Sequence, residues 1–196
     1  MINLFSSRHL LLLLTAFSLT ACNGPAAQDD FTANLQPLCG KSFAGQVVST
    51  DAVDADWRSE NIVMGPVSCE INAIKIPLAV GENTSRTWVI IPEKRRLTLK
   101  HDHRHDDGTP DAVSWYGGTA QTDGTATRQE FPVDEFSIAL FKKEDLLASV
   151  TNTWAMDINP NDSFAYELSR PATPEQVAAG EPGRFFRLEF DITKPL

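Results

Sequence analysis

The chain has 196 residues, 42% of them hydrophobic, and carries 26 Asp and Glu against 17 Lys and Arg for a formal net charge of −9. A dispersed acidic surface repels nucleic acid and anionic headgroups, so neither is an expected partner. The length suits one domain with a sizeable core, and no repeat, heptad or charge run points to a solenoid, coiled coil or interaction tail.

At the N-terminus, Arg8 and His9 precede a short apolar core formed by Leu10 to Leu14 with Ala16, Phe17 and Leu19. That core falls short of the about 20 apolar residues needed to span a bilayer, and reads as an export signal. It ends in Leu19-Thr20-Ala21-Cys22, which resembles the bacterial lipobox, a leucine and two small residues before a cysteine. The resemblance implies removal of residues 1–21 and lipidation of Cys22. The protein would then be held to a membrane by acyl chains and not threaded through it. Asn23 stands where lipoproteins retained in the inner membrane often carry Asp, which implies the outer membrane of a bacterial cell envelope, facing the periplasm. An ordinary signal peptide with an incidental cysteine is the alternative. Cleavage removes Arg8 and no acid, taking the 17 basic residues to 16 and the charge from −9 to −10.

Residues 22–36 read as the lipidated cysteine and a flexible tether, because 23–34 are small and polar. Residues 37–196 form a single β-rich domain. Two cysteines remain within it, Cys39 and Cys69. An even pair in an exported chain most simply forms a disulfide, worth roughly 3–4 kcal/mol in the chain-entropy model. Free thiols acting as metal or redox ligands are the rival, without a CxxC spacing to support them.

From Phe43 onward the pattern is alternation. Strands are expected over 43–50, 61–67, 70–80, 86–91, 95–103, 112–117, 149–158, 164–169 and 185–193. The last three are cleanest: Trp154, Met156 and Ile158 share a face, as do Phe164, Tyr166 and Leu168, and Phe186, Leu188, Phe190 and Ile192. Strands with one wet face belong to antiparallel sheets. Gly81-Glu82-Asn83, Gly108-Thr109-Pro110-Asp111 and Asn159-Pro160-Asn161-Asp162 supply turns. Two helices interrupt the pattern. Asp134 can cap one running through Phe136 and Phe141 toward Leu146 and Leu147, and Thr173-Pro174-Glu175-Gln176 is a capping box for another that stops at Gly180. The fold class is therefore all-β: an antiparallel up-and-down, calycin-like barrel with one or two short helices, or alternatively a two-sheet sandwich.

One stretch carries unusual chemistry. His101, His103 and His105 alternate within Leu97–Asp107, so a strand would put all three on the face of Leu97 and Leu99, with Arg96, Thr98, Lys100, Asp102 and Arg104 opposite. Residues two apart on a strand sit about 6.6 Å apart, close enough for a His-x-His pair to share one zinc or copper ion. Residues four apart lie about 13 Å from one another, so a third ligand requires a bend near His105. The competing reading is a solvated strand end pairing with Asp102, Asp106 and Asp107. The order misses the metallo-β-lactamase pattern, in which an aspartate precedes the last histidine.

Other motifs fail on a residue. Gly40-Lys41-Ser42 resembles the tail of a phosphate loop, but Leu35 stands where its first glycine belongs. As a nucleophile elbow it fails because Ala44 replaces a glycine. Asp102, Asp106, Asp107 and Asp111 lack EF-hand order, since His103 and His105 occupy ligand positions. Trp115-Tyr116-Gly117-Gly118 either presents aromatic surface to a ligand or packs a ring into the core, with glycines permitting close backbone approach. Trp88, Trp154 and Phe164 read as core.

The segments His101–Gly108, Asp111-Ala112-Val113, Tyr116-Gly117-Gly118 and Gly124–Gln129 resemble a family of uncharacterised proteobacterial exported proteins. The resemblance runs over most of the mature domain and implies location and a single domain, but no chemistry. The expected function is a non-catalytic, lipid-anchored binding module for a small or apolar envelope ligand, with no cofactor. The alternatives are metal binding at His101, His103 and His105, with zinc or copper, and a structural or accessory lipoprotein whose partner is another envelope protein.

Overall fold

A computed structural model describes residues 26–94 and 96–196; the export signal, the lipobox and Cys22 lie outside the described residues. The strands are β1 (Phe43–Val47), β2 (Ile62–Met64), β3 (Ser68–Glu70), β4 (Ala73–Val80), β5 (Asn83–Glu93) and β6 (Arg96–His103). They continue with β7 (Tyr116–Thr119), β8 (Arg128–Pro132), β9 (Thr153–Asn159), β10 (Ser163–Arg170) and β11 (Arg184–Asp191). Ten of them follow one another as antiparallel neighbours around a nearly closed barrel, with β3 paired to β4 at the side. The ring shuts in two places. β11 pairs with β1, Gly45 opposite Phe190, and β7 meets the end of β8 at a bridge between Gly118 and Val133. The up-and-down barrel is the observed fold, and the sandwich is not.

The inward faces are those that alternation marks. Trp154, Met156 and Ile158 lie opposite Leu168, Tyr166 and Phe164, which in turn lie opposite Phe186, Leu188 and Phe190. Across the barrel, Ile74, Ile76, Ile90, Leu97 and Leu99 complete the core. Cross-strand apolar and aromatic pairs of this kind are what hold a sheet in one register, because a slip of one residue would turn every one of them to solvent.

Departures from the expected strands have local causes. The strand expected over 70–80 breaks at Ile71, which is 99% exposed in the turn between β3 and β4. β8 lay hidden because its inward pair is Gln129 and Phe131 and only Phe131 is apolar. The strand expected over 112–117 instead opens at Tyr116, and its glycines serve the fold itself. A Cβ on Gly117 would fall 1.8 Å from the Leu99 carbonyl oxygen, and one on Gly118 would fall 2.0 Å from that of Pro132. Side chains there would prevent β7 from fitting between β6 and the end of β8.

Helix α3 (Glu135–Lys143) buttresses this seam and ends before Leu146. Asp134 caps it by accepting from the Ser137 amide, and the Ser137 hydroxyl donates to the same carboxylate while accepting from the Gly117 amide at 2.7 Å. The other Asp134 oxygen receives Lys100 Nζ at 2.5 Å. Burial opposes ionisation of Asp134, but the hydrogen bonds from Lys100 and Ser137 outweigh it and hold the carboxyl below its usual range. The face of β6 expected to be wet is therefore covered at Thr98 and Lys100, both buried.

The region expected to be a tether is structured from Ala27 on. Helix α1 (Ala27–Leu35) and the 3₁₀ turn after it bury Phe31, Leu35 and Leu38, an i, i+4, i+7 face in an otherwise polar stretch. Gln28 and Asn34 donate to the Thr122 and Ala126 carbonyls in the β7–β8 connection, so α1 lies across the barrel end where β6 and β8 begin. The Cys39–Cys69 disulfide, with Cα atoms 5.7 Å apart, ties the exit of this plug to β3, as expected. Two further helices lie at the opposite end, α2 (Ala55–Ser59) and α4 (Pro174–Ala179), the latter with the expected Thr173 capping box and Gly180 in the left-handed conformation.

Gly118→Ala should cost about 2–4 kcal/mol in urea unfolding, because neither backbone at the seam can retreat. Gly108→Ala, with positive φ but no atom within 4 Å of the new Cβ, should cost only about 1 kcal/mol.

Candidate ligand cavity at the open barrel mouth

With one end plugged, the other holds a cavity of about 410 Å³. Strand direction explains what reaches it. β6 runs from Leu97 at the plugged end through Leu99 and His101 to His103 at the mouth, and His103 pairs with Arg86 of β5. The cavity walls are aliphatic and aromatic: Leu78, Trp88, Tyr166, Leu168, Phe186 and Leu188. Trp88 stacks on Tyr166 with ring centroids 4.3 Å apart.

His101 forms part of the floor. It is buried, stacks on Tyr116 at 4.5 Å, and places Nε2 2.8 Å from the Tyr166 hydroxyl and Nδ1 3.2 Å from the Tyr116 carbonyl. Burial drives its pKa down to about 3, so the ring is neutral and carries one proton. A carbonyl can only accept, which puts that proton on Nδ1 and leaves Nε2 accepting from Tyr166. Burial likewise raises the Tyr166 phenol, keeping it a donor.

His103 is half-buried at the mouth, with Nε2 3.3 Å from the Tyr116 hydroxyl. Burial and then the Arg86 charge lower its pKa. Burial pushes the Tyr116 phenol up to about 12. His105 leaves the barrel altogether. It sits in an exposed turn, Nε2 4.0 Å from Asp111.

The three-histidine metal constellation is thus not assembled. Parity places His101 and His103 inside as expected, but both nitrogens of His101 are engaged by Tyr116 and Tyr166. The turn that was to bring His105 inward carries it outside. Among the described residues, no group of three His, Cys, Asp or Glu is placed to hold a metal ion. The aspartates of this turn are engaged locally instead: Asp107 accepts from the Thr109 amide and hydroxyl, and Asp102 from the Arg104 guanidinium.

The cover over the mouth was not legible in the sequence. A 3₁₀ turn at Ala52–Asp54 leads into α2, and Trp57 of α2 meets Phe186 edge-on at 5.4 Å. Arg184 at the start of β11 fixes this cover, contacting Asp51 at 2.7 Å and both oxygens of Asp54 at 2.5 and 2.8 Å. Arg86 lies over the Trp57 ring at 5.1 Å. The partners stand more than a hundred positions apart in the Arg184 pairs, and no local pattern marks them. The aromatic pair Trp115-Tyr116 divides: Tyr116 turns into the barrel, while Trp115 is exposed with φ of 62°.

Chemically, the cavity combines apolar walls with a polar corner of Arg86, His103 and Tyr116. Among the described residues that line it there is no serine, threonine or cysteine to act as a nucleophile. The arrangement can hold a largely apolar molecule and orient it by a few hydrogen bonds.

Because the folded His101 stays neutral to about pH 3 while an unfolded histidine protonates near 6.5, the unfolded chain binds the extra proton throughout that interval. Stability should therefore fall as pH drops below about 6.5, by up to about 1.4 kcal/mol per pH unit for one such histidine. Urea unfolding at pH 7, 6 and 5 checks this, and the double change His101→Phe with Tyr166→Phe should flatten the slope.

None of the family models, curated proteins or solved structures compared with the chain matches it. The resemblance to uncharacterised exported proteins accordingly rests on the quoted residues alone.

Proposed function

We propose that this protein is a non-catalytic binding module that holds a small, largely apolar molecule in the mouth of its barrel, and that it works on the surface of a bacterial envelope membrane, anchored by lipid on Cys22. The observation that carries the binding reading is the cavity of about 410 Å³ walled by Trp57, Leu168 and Phe186 above the packed Leu78, Trp88 and Leu188, at the end of a barrel whose other end α1 plugs. Pockets of this size with mostly apolar walls and a few convergent polar groups suit small organic ligands. The Leu19-Thr20-Ala21-Cys22 lipobox supports the anchor.

The anchor and the cavity are compatible in space. α1 opens at Ala27, five residues after Cys22, a reach of at most about 18 Å. A lipid on Cys22 would hold the plugged end toward the bilayer and leave the mouth facing away from it. A second reading, an accessory lipoprotein that docks on another envelope protein, draws on Val53 and Leu147, exposed at 75% and 62% along one groove beside the mouth.

Two experiments test the reading. Cys22→Ser should abolish incorporation of labelled palmitate and move the protein from the membrane fraction to the soluble one; wild-type protein that takes up no palmitate would refute the anchor. The soluble Cys22→Ser protein should then bind the neutral apolar probe N-phenyl-1-naphthylamine with a rise in probe fluorescence. Filling the cavity with Leu168→Trp should remove that binding, and a probe response unchanged by the substitution would place binding elsewhere.

A further inference from the structure

The polar corner of the cavity is unevenly charged. Arg184 is outnumbered by Asp51 and Asp54, so that cluster brings no positive charge to the mouth. Arg86 is different: among the described residues no carboxylate lies within 4.0 Å of it, Asp111 included. Its guanidinium rests on the Trp57 face at 5.1 Å and donates to the Asn83 side-chain oxygen at 2.9 Å. In a chain with a net charge of −9, Arg86 is a half-buried cation with no ion-pair partner among the described residues. Its charge is offset only from a distance by Asp102 and Asp111, which act on the same corner. Beside it, His103 sits opposite Arg86 in the β5–β6 register, and the Tyr116 hydroxyl lies 3.3 Å from His103 Nε2. Beside this corner the walls are apolar, with Trp57, Leu168 and Phe186, and the packed Leu78 and Leu188 lie beneath them.

A guanidinium that keeps free N–H groups, beside a phenol that accepts from a neutral imidazole and keeps its own O–H to donate, can hold a planar oxyanion. The apolar walls beside it leave only room for a hydrocarbon or ring on the other end of the same molecule. We propose, building on the binding reading above, that the ligand is an amphiphile with a carboxylate head: Arg86 holds the carboxylate, Tyr116, whose oxygen accepts from His103 Nε2–H, donates one further hydrogen bond to it, and the apolar body lies against Trp57, Leu168 and Phe186. The lid residue Trp57 then has two roles, covering the apolar body and setting the plane of the Arg86 guanidinium by stacking.

Decanoate and decan-1-ol, which share a tail and differ in the head, separate this proposal from the reading it rests on. Each is titrated against the Cys22→Ser protein by displacement of N-phenyl-1-naphthylamine and by calorimetry at pH 7.5. Decanoate should bind more tightly than decan-1-ol, and Arg86→Gln should weaken decanoate by about ten- to a hundredfold while leaving decan-1-ol within about twofold. Arg86→Lys should keep part of the preference. Should Arg86→Gln fail to fold, 0.5 M sodium chloride serves instead, and should weaken decanoate selectively. Equal binding of acid and alcohol, or equal loss of both on Arg86→Gln, overturns the carboxylate while leaving the apolar cavity standing. Binding of neither compound nor the probe overturns both.

Discussion

The barrel depends on a close backbone approach at one seam. Ten strands can be laid side by side as hairpins without closing, and an open sheet of that kind leaves two edges with unpaired amides and carbonyls. Here the edges are joined by β11 on β1 and by β7 against the end of β8, where Gly117 and Gly118 let the chain pass the Leu99 and Pro132 carbonyls without side chains between. The seam is short, so other groups hold it. Asp134 does so from the start of α3, receiving Lys100 on one oxygen and Ser137 on the other, while Ser137 takes the Gly117 amide. A helix cap, a half-buried ion pair and a strand edge are thereby one hydrogen-bonded unit.

Closure gives the barrel two ends with different contents. Phe31, Leu35 and Leu38 cover one, and the disulfide fixes the segment that carries them. The interior adjoining that end is filled by Ile158, Phe164 and Phe190, all buried. Toward the other end the column of rings Trp88, Tyr166, His101 and Tyr116 changes the character of the core from hydrocarbon to aromatic with polar atoms. Each polar atom of His101 is satisfied within the column, which lets a histidine sit at full burial at neutral pH without charge. Above it the walls diverge and the cavity begins. On the outside, Arg128 and Arg187 bridge Asp157 and Glu167 across β8 to β11. Those carboxylates raise both guanidinium pKa values despite partial burial. This network braces the wall and plays no part in the cavity.

Much of this was readable from residue order, and the failures share a cause. Alternation located β9, β10 and β11 and their inward faces, because a strand shows its periodicity within its own sequence. The Thr173 capping box, the Asp134 cap and the Cys39–Cys69 pair were legible for the same reason: each is a local signature or a matter of counting. β8 was not, since its burial of Gln129 is made tolerable by the Asp123 and Thr125 carbonyls that accept from its amide. α1 was not, because three apolar residues among polar neighbours form a core face only when a barrel end stands ready to receive them. The histidine run divides the same way. Parity correctly sent His101 and His103 inward, but what they meet there, Tyr116 and Tyr166, is set by strand pairing.

The sequence by itself determined that this is an antiparallel β domain with a disulfide, two capped helices and an N-terminal stretch resembling a lipoprotein signal. Periodicity, capping and cysteine counting act over a few residues or need no geometry at all. The tertiary structure alone decided that a glycine pair closes the ring, that a polar stretch plugs one end, and that Arg86, His103 and Tyr116 share a corner while His105 does not. Those outcomes depend on register between strands and on residues distant in the chain, such as Arg184 with Asp54. Register is fixed by the packing of the whole core, so no short stretch of sequence contains it.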